Sequence, residues 1–308
     1  MLRAAISLCA GVFCVVATAM PAAASDRVSL GWGRMFTNDT LGDGYDRWHT
    51  GSYTLSHVRG PEWAGALPGA AGVLLEYRAR AELMTPANLT RAAAGDRRFA
   101  SALSLGVHTH WQSGAYQMRA GGDLVFTGPQ TGLDSIQADI HDALGVAEPS
   151  DAVLANQIGN AVYPTLGFEA AHQREVGGNA RLRSFMEVQA GAESFVRLGF
   201  DLITGTYGHG GLLLRDSTTG QLYSGVKGEA QTGISFVLGA DAAKVFDSVY
   251  LPSSDGYELT DLRLRARAGA EAQIGFATVF YGLTYLGEEF EAQPEGQLLG
   301  TLRISARF

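Results

Sequence analysis

The sequence predicts an all-β protein: a 12-stranded antiparallel transmembrane β-barrel with a short helix in an extracellular loop. Three observations predict it. The N-terminus reads as an export signal, segments of about ten residues alternate apolar and polar side chains, and the last strand ends on an aromatic residue.

The export signal comes first. Met1 and Leu2 precede one positive charge, Arg3, then an apolar run from Ala4 to Ala19, then Met20-Pro21-Ala22-Ala23-Ala24-Ser25. A charged start, a short apolar run and an Ala-x-Ala site make a cleavable signal peptide. Cleavage is expected after Ala24, giving a signal peptide at 1–24 and a barrel at 25–308. Both cysteines, Cys9 and Cys14, lie in the signal, and Leu8 and Phe13 are too large for a lipidation site. The remaining chain has no thiol and hence no disulfide framework. No other stretch approaches the roughly 18 apolar residues of a membrane helix. Losing Arg3 takes the formal charge from −8 to −9, which argues against a nucleic-acid partner.

The alternation is plain in three places. Leu262, Leu264, Ala266, Ala268 and Ala270 alternate with Arg263, Arg265 and Arg267. Leu75, Tyr77, Ala79, Ala81 and Leu83 alternate with Glu76, Arg78, Arg80 and Glu82, and Ala180, Leu182, Met186 and Val188 oppose Arg181, Arg183, Glu187 and Gln189. Successive strand residues point to opposite faces, so each segment has one charged face. A soluble sandwich shows the same pattern. The C-terminus separates the two: Leu298, Gly300, Leu302, Ile304, Ala306 and Phe308 share one face of a final strand, as in the recognition signal of outer-membrane barrels.

Twelve strands are expected, at 28–37, 48–59, 72–84, 98–110, 114–126, 158–172, 179–190, 194–205, 228–240, 260–273, 276–288 and 296–308. Gln112-Ser113-Gly114 and Gly177-Gly178-Asn179 suit periplasmic turns. The Gly-rich stretch 206–227 is too long for one. Residues 130–145 read as a helix, with Leu133, Ile136, Ile140 and Ala143 at helical spacing and Gly145 as its stop. Asp134, Gln137 and His141 share another face. The expectation is that the apolar face packs on the barrel and the polar face lines a cleft.

Candidate chemistry gathers in three segments: Thr37-Asn38-Asp39 with Asp46-Arg47-Trp48-His49-Thr50-Gly51; Gly95-Asp96-Arg97-Arg98-Phe99-Ala100; and Thr127-Gly128-Pro129 leading to Gln137, His141 and then Asn156-Gln157. Taken singly, Asn38-Asp39 reads as a surface turn and His141 as a solvated helix residue. His108-Thr109-His110 places two imidazoles on one strand face, a possible metal pair. No Gly-x-Ser-x-Gly elbow is present, and Gly205–Gly211 does not follow the phosphate-loop pattern.

Together, and in this order, the segments resemble the blocks of the outer-membrane lipid A 3'-O-deacylases: an Asn-Asp pair, an Asp-x-x-Tyr-Thr-x-Gly block, an Asp-Arg-Pro-Tyr-Ala-Gly block, and a Gly-Pro…Gln-x-x-x-His helix followed by Trp-x-x-Gln. The departures are His49 for Tyr, Ser52 for Gly, Arg98-Phe99 for Pro-Tyr, Ser101 for Gly and Leu154 for Trp. The resemblance implies a calcium-dependent esterase that removes the 3'-linked acyl chain of lipid A. It implies His141 as general base, Asn38 and Asp39 as catalytic and Ca2+-binding residues, and Thr50, Arg97 and Gln137 as supporting or substrate-binding residues. The implied setting is the bacterial outer membrane, with lipopolysaccharide as partner and a monomer as the expected state. A non-enzymatic barrel, either a narrow channel or a structural protein, and an outer-membrane phospholipase are the competing readings. Known phospholipases of that kind use Ser with His, and no matching Ser-centred motif is present.

Overall fold

The computed structural model describes residues 27–228 and 233–306, so the expected signal peptide and Phe308 lie outside it. The strands are β1 (Val28–Asn38), β2 (Trp48–Gly60), β3 (Leu74–Thr85), β4 (Ala100–Ser113), β5 (Tyr116–Thr127), β6 (Ala161–Glu175), β7 (Ala180–Ala190), β8 (Glu193–Thr204), β9 (Leu212–Arg215), β10 (Leu222–Val226), β11 (Ile234–Ser248), β12 (Arg263–Ile274), β13 (Ala277–Leu286) and β14 (Gln297–Ala306). All but β9 and β10 form one closed barrel, antiparallel throughout, in which β8 pairs with β11 and β14 returns to β1. The barrel has the expected twelve strands.

The alternation is resolved as the pattern demands. Arg263, Arg265 and Arg267 are buried in the lumen while Leu264, Ala266 and Ala268 face outward. Tyr53, Leu105, Leu124, Val162, Leu198 and Leu264 are exposed on the outer wall, where a bilayer covers them. The lumen charges pair across strands. Arg267 reaches Asp201 at 2.6 Å and Asp241 at 2.5 Å, and Glu187 takes Arg119 at 2.8 Å and Arg197 at 2.9 Å. The two imidazoles of the His-x-His segment are likewise lumen partners, His108 of Asp123 at 3.2 Å and His110 of Glu76 at 2.8 Å.

Residues 206–227, too long for a turn, are a plug. They leave β8 at the periplasmic end, and the β9–β10 hairpin rises into the lumen. Leu212, Leu214, Leu222, Tyr223 and Val226 pack with the lumen-facing Met35, Val58, Leu74, Ile203, Val237 and Phe280 to form the largest apolar core. At the hairpin tip Arg215 bonds Asp201 at 2.9 Å and Glu169 at 3.2 Å, Asp216 accepts from Thr54 at 2.9 Å, and Arg265 donates to the Ser217 and Thr218 carbonyls at 2.7 and 3.0 Å. The seam explains two glycines. β1 pairs with β14 through only three residue pairs, near its outer end. Below these, β10 backs β1 so closely that a Cβ on Gly31 would lie 2.4 Å from the Gly225 carbonyl oxygen and one on Gly33 2.8 Å from that of Ser224. The hairpin and its partners fill the lumen on the periplasmic side. In a planar bilayer the intact protein is expected to show no steady conductance, and a stable ohmic pore at rest would contradict the plugged lumen.

Two helices lie in the long outer loop between β5 and β6: α1 (Leu133–Leu144) and the short α2 (Asp151–Ala155). Gly132 and Gly145 bracket α1 with positive φ, and Gly145 N–H closes on the Asp142 and His141 carbonyls. The helix is where the sequence places it, but its faces are reversed. Gln137 and His141 are buried against the barrel, while Ile136, Ile140 and Leu144 are 52, 51 and 70% exposed.

Candidate active site

The site forms on the outer face of the wall, at the outer ends of β1 to β4. Strand alternation puts Asn38 on the same face as Phe36 and Trp32, away from the lumen. Its amide donates to the Thr50 carbonyl at 2.8 Å, and its Oδ1 accepts from Thr40 N at 2.9 Å, capping a single 3₁₀ turn at Asp39–Leu41. Trp48 opens β2 with φ of 52°, a left-handed conformation that costs a bulky residue about 1–3 kcal/mol. Its buried indole, held by Asp96 at 3.3 Å, opposes that cost. The β2–β3 register then shifts between His49 and Gly51. In this bulge His49 turns into the lumen to Glu82, at 3.2 Å, and Thr50 is left for the loop side.

Helix α1 is laid over this region. Ser101 shares the outward face of β4 with Leu103 and Leu105; it accepts from Thr131 Oγ1 at 2.9 Å, tying the helix approach to the wall. His141 then faces the Asp39–Thr50 loop. Its Nδ1 lies 2.6 Å from the Ala147 carbonyl oxygen. That oxygen only accepts, so Nδ1 carries the proton, and in the neutral ring Nε2 is the basic nitrogen. Nε2 lies 3.4 Å from Asp46 Oδ2, and the other oxygen of Asp46 accepts from the Thr50 hydroxyl.

Asp39 completes the group. It is 1% exposed, accepts from Thr40 N at 2.7 Å and Arg47 N at 3.2 Å, and has no ion pair among the described residues. Burial, and then the neighbouring Asp46 charge, push its pKa up to about 7, against the bonds from Thr50, Thr40 and Arg47. The folded chain thus holds this proton more tightly than the unfolded chain. The stability so gained is full below the ordinary pKa of 3.8 and is lost as pH rises through about 7. In chelator, the wild-type melting temperature is expected to fall between about pH 5 and pH 8 relative to that of Asp39→Asn. Parallel pH profiles for the two proteins would count against a strained carboxylate.

The donor set fits a hard divalent cation. Two carboxylates, Asp39 and Asp46, face one another without a positive partner other than the imidazole. The Oε1 of Gln137, one turn before His141 on the same face, is buried and unbonded among the described residues, as is the hydroxyl of Thr85 at the end of β3. No group of three acidic, histidine or cysteine side chains is arranged to hold a metal ion by itself among the described residues. A calcium ion here would therefore also draw on amide, backbone and water oxygens, as Ca2+ commonly does.

Asn38, Asp39, Thr50, Gln137 and His141 are thus gathered at one place. Arg97 is not with them. It is 1% exposed, with its guanidinium 2.6 Å from Glu289 and 3.2 Å from the sulfur of Met84, whose side chain packs inside the barrel. Burial alone would raise the Glu289 pKa, but the charges of His49, Arg263 and Arg97 hold it well below the usual range. Arg97 therefore neutralises an internal carboxylate. Asp46 opens the second candidate block, but sequence reading gave it no role; its contacts with His141 and Thr50 assign it to the cluster.

A model of the outer membrane protein LpxR family matches residues 8–308. The chain belongs to this family. The match spans the plug, α1 and every residue of the cluster, and with the twelve-stranded barrel it places the protein in the outer membrane, which it crosses many times. Among solved structures the LpxR-family barrel is similar to LpxR from Salmonella typhimurium, at 17% identity over 90% of this chain and 100% of that one, with a TM-score of 0.71. The likeness at that identity is one of fold. The β domain of the Bordetella autotransporter BrkA aligns at 9% identity over 91% of this chain and 99% of that one, with a TM-score of 0.42. No curated protein sequence matches the chain.

Proposed function

We propose that this LpxR-family barrel is a calcium-dependent lipid A deacylase, an ester hydrolase acting as a monomer on the 3'-linked acyl or acyloxyacyl chain. The observation that carries the reading is the arrangement of His141: Nδ1–H anchored on a backbone carbonyl and Nε2 aimed at the Asp46 carboxylate, on the lipid side of the wall. Nε2 takes a proton from water, and the water oxygen attacks the ester carbonyl carbon. The C–O bond to the sugar then breaks. The sugar oxygen takes the proton back from Nε2, leaving a free hydroxyl and a fatty acid. Asp46 holds the imidazolium between these steps, and Thr50 fixes Asp46. Asp39, with oxygen from Asn38 and the backbone, would hold a calcium ion, which when bound would supply polarisation of the ester carbonyl. The plug in the lumen supports an enzyme over a channel, and the polar cluster lies outside the lumen.

The test is mass spectrometry of lipid A from a host expressing the protein, with Ca2+ and with chelator. A mass loss equal to the 3'-acyl group, absent in chelator, is expected. Unchanged lipid A despite folded protein in the outer membrane would reject the reading, and release of fatty acid from phospholipid instead would turn it to the phospholipase.

A further inference from the structure

Helix α1 exposes its apolar residues instead of burying them. At about 100° per residue, its surface divides into three. Gln137 and His141 face the barrel. Ile136, Ile140 and Leu144 form a second, exposed face, continued by exposed Val146. Ser135, Asp139 and Asp142 form the third, also exposed and polar. The apolar and acidic faces lie on opposite sides of the site face. A loop helix bathed in water on both sides would have no use for such a division. A helix lying along a membrane surface, its length parallel to the bilayer, requires it.

The surroundings supply the occupant of the apolar face. The helix begins a few residues after β5 leaves the lipid-facing wall, where Leu124 is exposed. It is tied by Thr131 to Ser101, which precedes Leu103 and Leu105 on the outward face of β4. The apolar face of α1 therefore continues the apolar band of an outer-membrane barrel. We propose that α1 is an interfacial helix seated in the outer leaflet, with Ile136, Ile140 and Leu144 among the acyl chains and Asp139 and Asp142 toward the headgroups and water. The junction of helix and wall then borders the leaflet. A lipid can bring an acyl ester to it without leaving the bilayer, a consequence that rests on the deacylase reading. The seat itself does not.

Site-directed nitroxide labels test the seat. Single Cys replacements of Ile140, Leu144, Asp139, Asp142 and the wall residue Leu124 are made in a chain with Cys9→Ala and Cys14→Ala. The full barrel, checked for folding by its heat-modifiable gel mobility, is reconstituted in phosphatidylcholine–phosphatidylglycerol vesicles. Collision with lipid-soluble oxygen is compared with collision with a water-soluble nickel chelate. Labels at 140 and 144 are expected to match Leu124, favouring oxygen, and labels at 139 and 142 to favour nickel. Equal nickel access at 140 and 139 would put the helix in water and overturn the proposal. Shielding of 140 from both reagents would put protein there, such as a second copy of the chain, and would also overturn it. No turnover enters the measurement, so a barrel inactive on lipid A would leave the result intact, and an active one would not rescue a nickel-accessible Ile140.

Discussion

Replacing His141 with alanine is expected to cut deacylation by about 10²–10⁴-fold, the range for loss of a positioned general base. The barrel should fold regardless, because His141 lies on a loop helix and among the described residues its polar contacts are confined to Ala147 and Asp46. A second variant separates chemistry from scaffolding. In His141→Gln the side-chain amide can still donate to the Ala147 carbonyl, yet it takes no proton from water. If His141 is the base, both variants are equally slow. If the residue only pins the loop, the glutamine variant recovers most of the rate. Mass spectrometry of lipid A over time, with protein level and heat-modifiable mobility held equal, distinguishes these outcomes. A wild-type rate in His141→Ala would remove the mechanism altogether.

The barrel was legible because its signal is periodic and repeated. Arg263, Arg265 and Arg267 against Leu264 and Ala266 state which residues share a face, and closure follows once lipid lies on one side. What lies inside the barrel was not legible. Leu212, Leu214 and Tyr223 are apolar residues in a long loop, and no local pattern says that a loop turns back into the lumen. The decision is made by partners far along the chain, such as Asp201 and Glu169 for Arg215. Spacing placed several candidate residues, while their roles came only from the family resemblance. Gln137 and His141 share a helix face by their four-residue interval, and Asn38 and Asp39 sit at a strand end. Spacing did not place Arg97, because its partner Glu289 is 192 residues away and lies on the lumen side. The helix faces show the same limit. Period identifies the apolar face of α1, but it does not say whether protein or lipid meets it. In a soluble protein that ambiguity is absent. In an outer-membrane barrel it remains open until the helix is placed.

Asp241→Ala is expected to destabilise the barrel by about 3–5 kcal/mol, the cost of breaking a buried ion pair from one side. Asp241 has no exposed side-chain surface and faces three guanidiniums: Arg265 at 2.9 Å, Arg267 at 2.5 Å and Arg197 at 3.3 Å. Without it Arg267 keeps Asp201 and Arg197 keeps Glu187. Among the described residues Arg265 keeps only the Ser217 and Thr218 carbonyls at the plug tip. The loss therefore falls on one buried cation and on the plug it holds. Urea unfolding in vesicles measures the effect, read as a drop in the folded, heat-modifiable band. The double variant Asp241→Leu with Arg265→Met is the sharper arm. Removing both charges eliminates the unpaired cation, and apolar replacement of a buried pair is often neutral or better. Recovery in the double variant would locate the penalty in the stranded charge of Arg265. Failure to recover would locate it in the plug, through the two carbonyls that Arg265 alone holds. An unchanged urea profile in Asp241→Ala would mean that water in the upper lumen already screens these charges.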